Sequence, residues 1–97
     1  MFKLKLVKKY NKRQKSLLER IKKKEENLKS LNKSKAFLQS QFENVEHLSN
    51  LSVDEIIYEK EFILSKIEMI DKSIIVCKKE LELVKKEFEK ELDRKWF

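Results

Sequence analysis

Histidine, cysteine and carboxylate side chains are the first places to look for chemistry, and in this sequence they do not converge. His47 is the only histidine; it lies beside a turn and off the apolar seam described below, where a solvated residue is expected rather than a ligand or general base. Cys77 is the only cysteine, so it has no intramolecular disulfide partner, and its seam position suits a small, reduced core residue better than a reactive thiol. The 17 Asp and Glu residues stand at helical spacing beside lysines, as Glu82 does before Lys86, which reads as a solvated charged face. Phosphate-cradling loops, nucleophile elbows and dinucleotide fingerprints all depend on glycine for close backbone approach. The chain contains no glycine and no proline. No catalytic or metal-binding constellation emerges, so neither an enzymatic role nor a cofactor is expected.

The lysines and arginines are the second candidate. Lys8, Lys9, Lys12, Arg13, Lys15, Arg20, Lys22, Lys23 and Lys24 form a basic segment that could neutralise phosphates. A basic-zipper reader places such a helix ahead of its zipper, whereas here the apolar seam already runs through the basic segment. No ordered set of base-edge readers is present, so any polyanion binding is expected to be weak and non-specific. The competing reading is a solvated basic face lying beside an acidic partner helix. Residues 1–35 carry 14 Lys/Arg and three Glu, while residues 36–97 carry 10 Lys/Arg and 14 Asp/Glu. A chain folded back on itself would set its basic half against its acidic half.

The elements that position these charges are written in the heptads. From Val7 the a and d positions are Val7, Tyr10, Gln14, Leu17, Ile21, Lys24, Leu28, Leu31, Lys35, Leu38, Phe42 and Val45, nine of twelve apolar. From Val53 a second series runs through Ile56, Lys60, Ile63, Ile67, Ile70, Ile74, Cys77, Leu81, Val84, Phe88, Glu91 and Lys95, ten of thirteen apolar. A sustained 3.5-residue period over both halves is a coiled-coil signature. The polar positions Gln14, Lys24 and Lys35 lower stability while helping to fix register.

Between the two series, His47 to Leu51 clusters turn-forming residues, with Asn50 the best available left-handed cap in a chain without glycine. Ser52 and Glu55 then have the spacing of a capping box, Leu51 and Ile56 flank it as a hydrophobic staple, and Asp54 and Glu55 suit the positive end of a helix dipole. The expected fold is therefore all-α, a two-helix antiparallel coiled-coil hairpin forming a single domain. Its first helix spans about residues 3–47, its turn about 48–51 and its second helix about 53–95. The N-terminus is too interrupted by lysines for a secretory signal, and no apolar run approaches the roughly 20 residues of a membrane span, so a cytosolic address is expected.

One feature of the second helix does not belong to the seam. Phe62, Met69, Val76 and Leu83 recur every seven residues at position c, and Leu64 and Ile75 add apolar area elsewhere. An outer helical face should be polar, so such a stripe marks a contact with a third surface, self-association, or a core face that spills over.

Two segments resemble a known family. Phe2-Lys3-Leu4-Lys5-Leu6-Val7-Lys8-Lys9 resembles the opening of the FliJ/YscO group of type III export proteins. Leu51-Ser52-Val53-Asp54-Glu55, followed by Phe62-Ile63, resembles the segment that starts the second long helix of flagellar FliJ proteins. The resemblance implies a cytoplasmic coiled coil similar to the central stalk of rotary ATPases, peripheral to a membrane export complex. It implies insertion of the terminal end into the export ATPase ring, contact with the cytoplasmic domain of the export gate, and escort of secretion chaperones. The gate-contacting face would fall on Phe62, Lys66, Met69 and Ser73. The ATPase-contacting or polyanion-contacting residues would be Lys5, Lys8, Lys9, Lys12 and Arg13.

Overall fold

A computed structural model describes residues 10–48 and 50–93. Helix α1 runs Lys12–Asn44, a short 3-10 turn follows at Val45–His47, and helix α2 runs Val53–Asp93. The helices pack side by side in an all-α hairpin 71 × 28 × 15 Å in extent. No helix among the described residues is long and apolar enough to cross a membrane.

The N-terminus of α1 is set by its own cap. The Asn11 side chain accepts the Gln14 amide at 2.8 Å, and Gln14 Oε1 accepts the Asn11 amide at 2.9 Å, a reciprocal capping box. Because Gln14 takes the Asn11 amide, that amide is not available to an upstream helical carbonyl. The helix expected over residues 3–47 is thus corrected at its start: Tyr10 and Asn11 are not helical, and residues 1–9 lie outside the described residues.

The far end of α1 also differs from expectation. The α-helix stops at Asn44, and its capping residue Val45 keeps a right-handed conformation (φ −56°, ψ −39°) while donating its amide to the Gln41 carbonyl. Leu48 then donates its amide to the Val45 carbonyl at 3.2 Å. Tightening into a 3-10 turn satisfies terminal carbonyls without any left-handed residue, so the helix end does not depend on Asn50. On the other side of the turn, the Ser52 amide donates to Glu55 Oε1 at 2.9 Å and the Glu55 amide donates to Ser52 Oγ at 3.2 Å. This is the capping box read from the sequence. Leu51 and Ile56, the staple residues, are both half-buried.

The antiparallel register follows from cross-helix pairs. Along α1 and into the 3-10 turn, steps of eleven residues lead from Arg13 to Lys24, to Lys35 and to Glu46, and these side chains meet Glu91, Glu80, Asp71 and Lys60 in descending order. Leu17, Val45, Ile63, Ile74, Cys77, Leu81 and Val84 form the buried core. Ile21, Leu28, Leu31, Leu38, Ile67 and Ile70 are half-buried between them, as a two-stranded seam with no third layer requires. Tyr10 and Phe88 close the open end with ring centroids 5.7 Å apart.

Candidate interaction surface

The seam carries five polar residues among those described, and each has a partner across the hairpin. Gln14 Nε2 donates to the Glu91 carbonyl at 3.2 Å, and Arg13 Nε donates to Glu91 Oε1 at 2.8 Å. Lys24 Nζ lies 2.8 Å from Glu80, Lys35 Nζ lies 2.6 Å from Asp71, and Lys60 pairs with Glu46. Long lysine stems pack along the seam while their ammonium groups reach an acid at its edge. Lys60 Nζ also sits 4.9 Å above the Phe42 ring, a cation–π contact that packs the turn end. The pairing with Lys60 and the neighbouring His47 hold the Glu46 carboxyl below the usual glutamate range, and the Ser52 hydrogen bonds do the same for Glu55.

Cys77 and His47, the residues first considered for chemistry, stand on different elements, α2 and the 3-10 turn. Cys77 is 6% exposed and its thiol donates to the Lys24 carbonyl at 3.4 Å. His47 is exposed at the turn. Among the described residues, no group of three or more His, Cys, Asp or Glu side chains is placed to hold a metal ion.

The outer stripe of α2 is exposed over its whole length: Phe62 50%, Met69 67%, Val76 55% and Leu83 63%. An α-helical c position lies on average about 130° from the centre of an a/d seam, too far for the single partner helix to cover. Phe62, Lys66, Met69 and Ser73 fall on one continuous strip of α2. Lys66 Nζ stands 4.4 Å over the Phe62 ring, and Ser73 Oγ donates to the Met69 carbonyl at 3.2 Å. The strip borders two grooves between the helices. Phe62 and Lys66 line one of about 380 Å³ with Leu38, Gln41 and Leu48. Ser73 and Val76 line another of about 520 Å³ with Leu31, Asn27 and Cys77.

Of the basic residues, Lys5, Lys8 and Lys9 lie outside the described residues. Lys12 is exposed in the first turn of α1. Arg13 is engaged internally by Glu91 and, at 3.4 Å, by Glu87. Lys15, Lys22 and Lys29 stand every seven residues on the outer side of α1, exposed and without an ion pair among the described residues.

Sequence reasoning missed the apolar tip. Leu48, Val53, Ile57 and Tyr58 are exposed by 49%, 72%, 51% and 68%, and with Phe62 and Leu64 they leave apolar area around the turn end, interleaved with the exposed Asp54, Glu55, Glu59 and Glu61. The signal was present in the run Ile56-Ile57-Tyr58, which no single seam can cover. Phe37, 64% exposed on α1, stands among Lys33, Ser34, Ser40 and Gln41 at helical spacing, so no apolar stripe signals it. No family model matches the sequence, and no curated protein or solved structure matches it.

Proposed function

We propose that this chain is a non-enzymatic helical-hairpin adaptor of a type III protein export apparatus. In this reading α2 docks to the cytoplasmic domain of the export gate through Phe62, Lys66, Met69 and Ser73. The basic terminal end engages the export ATPase ring, and the hairpin escorts secretion chaperones. The observation that carries the adaptor role is the exposed stripe on a helix whose seam is already closed by its partner. Aromatic and Met side chains grouped on a rigid element are the usual anchors of a protein interface. The export setting is supported by the resemblance of Phe2 to Lys9, and of Leu51 to Glu55 followed by Phe62-Ile63, to the FliJ/YscO group. Titration of the chain against purified gate domain and export ATPase tests it. Binding is expected, with Phe62→Ala and Met69→Ala each weakening gate affinity by about 1 to 3 kcal/mol. Absence of binding, or binding indifferent to both substitutions, overturns the proposal.

A second reading has its own observation. The exposed Lys15, Lys22 and Lys29 row suits a polyanion, with affinity supplied by counterion release and no sequence preference. It is favoured if the chain binds nucleic acid at physiological salt and ignores the gate domain.

A further inference from the structure

We infer that residues 2–9 of one copy of the chain dock on the turn half of a second copy, against Asp54, Ile57, Tyr58, Glu61 and Leu64. These five recur at steps of three and four along α2, so they share one strip of its surface. The strip runs beside the Phe62 and Met69 stripe rather than on it. Ile57, Tyr58 and Leu64 are each at least half exposed. Asp54 and Glu61 are exposed and have no ion pair among the described residues. Positions three and four away from either acid carry no lysine, so no cation at helical spacing answers them.

Charge decides what covers the strip. Counted over both helices at matching heights, residues 36–68 hold seven acids against Lys60 and Lys66. Lys60 is already paired with Glu46, and Lys66 stands over Phe62. The open end is the reverse: residues 10–24 with 80–93 hold ten Lys/Arg and seven acids, and Arg13 and Lys24 already answer Glu80, Glu87 and Glu91. Phe2-Lys3-Leu4-Lys5-Leu6-Val7-Lys8-Lys9 brings four lysines, four apolar side chains and no acid. Its own end of the hairpin repels it, and the acidic, apolar turn half attracts it. The basic side of α1 cannot serve instead, because no large apolar side chain among residues 12–36 is exposed.

Reach makes the contact intermolecular. The segment joins the hairpin at Tyr10, whose ring packs on Phe88 at the open end. From Tyr10 back to Phe2 the chain spans at most about 29 Å when fully extended. Leu64, the nearest member of the strip, lies about 36 Å from Phe88 by helical rise along α2, so a molecule cannot fill its own strip. Two copies lying antiparallel satisfy both contacts at once, the second closing at the effective concentration set by the first. The pair is isologous and stops at two copies.

The test is sedimentation equilibrium of the full chain at low salt, with far-UV circular dichroism on every variant to verify folding. The wild type is expected to be dimeric. One variant carries Lys5→Glu and Lys8→Glu, the other Glu61→Lys and Glu68→Lys. Each alone sets like charge on like and should weaken the dimer by at least about tenfold, whereas an equal mixture of the two should pair again. Tyr58→Ser should also weaken it, while Met69→Ser, on the neighbouring stripe, should leave it unchanged. A monomeric wild type, assemblies larger than two, a mixture that stays monomeric, indifference to Tyr58→Ser, or loss of pairing with Met69→Ser each overturns the inference. Gate or ATPase binding by a wild type that never dimerises would leave the export reading standing and remove this one.

Discussion

Lys35 and Asp71 meet across the helix pair at 2.6 Å, a seam cation answered by an acid one position outside the opposing seam. Both side chains are part-exposed, 32% and 43%, so solvent screens the pair and its contribution to stability is small, about 0.5 to 1 kcal/mol. Its value lies in selectivity, because a shifted register offers Lys35 no such acid. Lys35→Asp should lower the melting temperature and Lys35→Asp with Asp71→Lys should recover most of the loss. A thermal-melt double-mutant cycle checks this, and additive effects would show that the pair does not couple.

Seam and stripe should respond oppositely to truncation. Ile74 is 7% exposed and Met69 is 67% exposed. Ile74→Ala should cost about 2 to 5 kcal/mol by leaving a cavity, whereas Met69→Ala should stay within about 0.5 kcal/mol in the isolated monomer. Urea denaturation below the self-association range compares them. Equal losses would make Met69 part of the folding core.

The sequence was most legible where one period repeated. Every seam position from Tyr10 to Val45 and from Ile56 to Glu91 is buried or half-buried, including the polar ones. Val53 fails the pattern at 72% exposure, since it opens α2 immediately beyond the turn. The Ser52 cap was readable because nothing competed with it, while the Asn11 cap was hidden: the heptad count had already given Gln14 a seam role, and the residue fills both. The pairing of Lys35 with Asp71 and of Glu87 with Arg13 depends on register between distant segments, which no local spacing states.

Capping provides a third expectation. Asn11→Ala removes the acceptor for the Gln14 amide and should cost about 0.5 to 2 kcal/mol. Loss of helicity should concentrate in the first turns of α1, which residue-resolved hydrogen exchange measures; uniform loss along the hairpin would contradict a local cap.

The second cap adds a pH signature. Hydrogen bonds from Ser52 hold Glu55 below its ordinary value of 4.5. A carboxylate whose folded value is depressed stabilises the fold above its unfolded value, and that stabilisation is lost as pH falls through the folded value. Stability should therefore decline as the medium is acidified below about pH 4.5, and Glu55→Gln should flatten part of that decline. An unchanged acid limb in the variant would remove Glu55 from the account.

Polyanion affinity gives the fifth test. Binding of DNA through Lys15, Lys22 and Lys29 should fall steeply with added salt and be the same for unrelated sequences. Reversing these three charges should abolish it. Sequence-selective footprinting that survives physiological salt would point instead to base readout.

The five polar seam residues have a mechanical consequence. Apolar heptads are nearly blind to a slip of one repeat, about 10.5 Å, because one aliphatic layer looks much like the next. Gln14 with Glu91, Lys24 with Glu80, Lys35 with Asp71 and Lys60 with Glu46 tie the hairpin at four different heights. Sliding one helix past the other would break all of these ties together, so axial shear meets a cooperative threshold rather than a graded creep. A force applied to either strand is thereby shared along the hairpin, and the pair behaves as one strut.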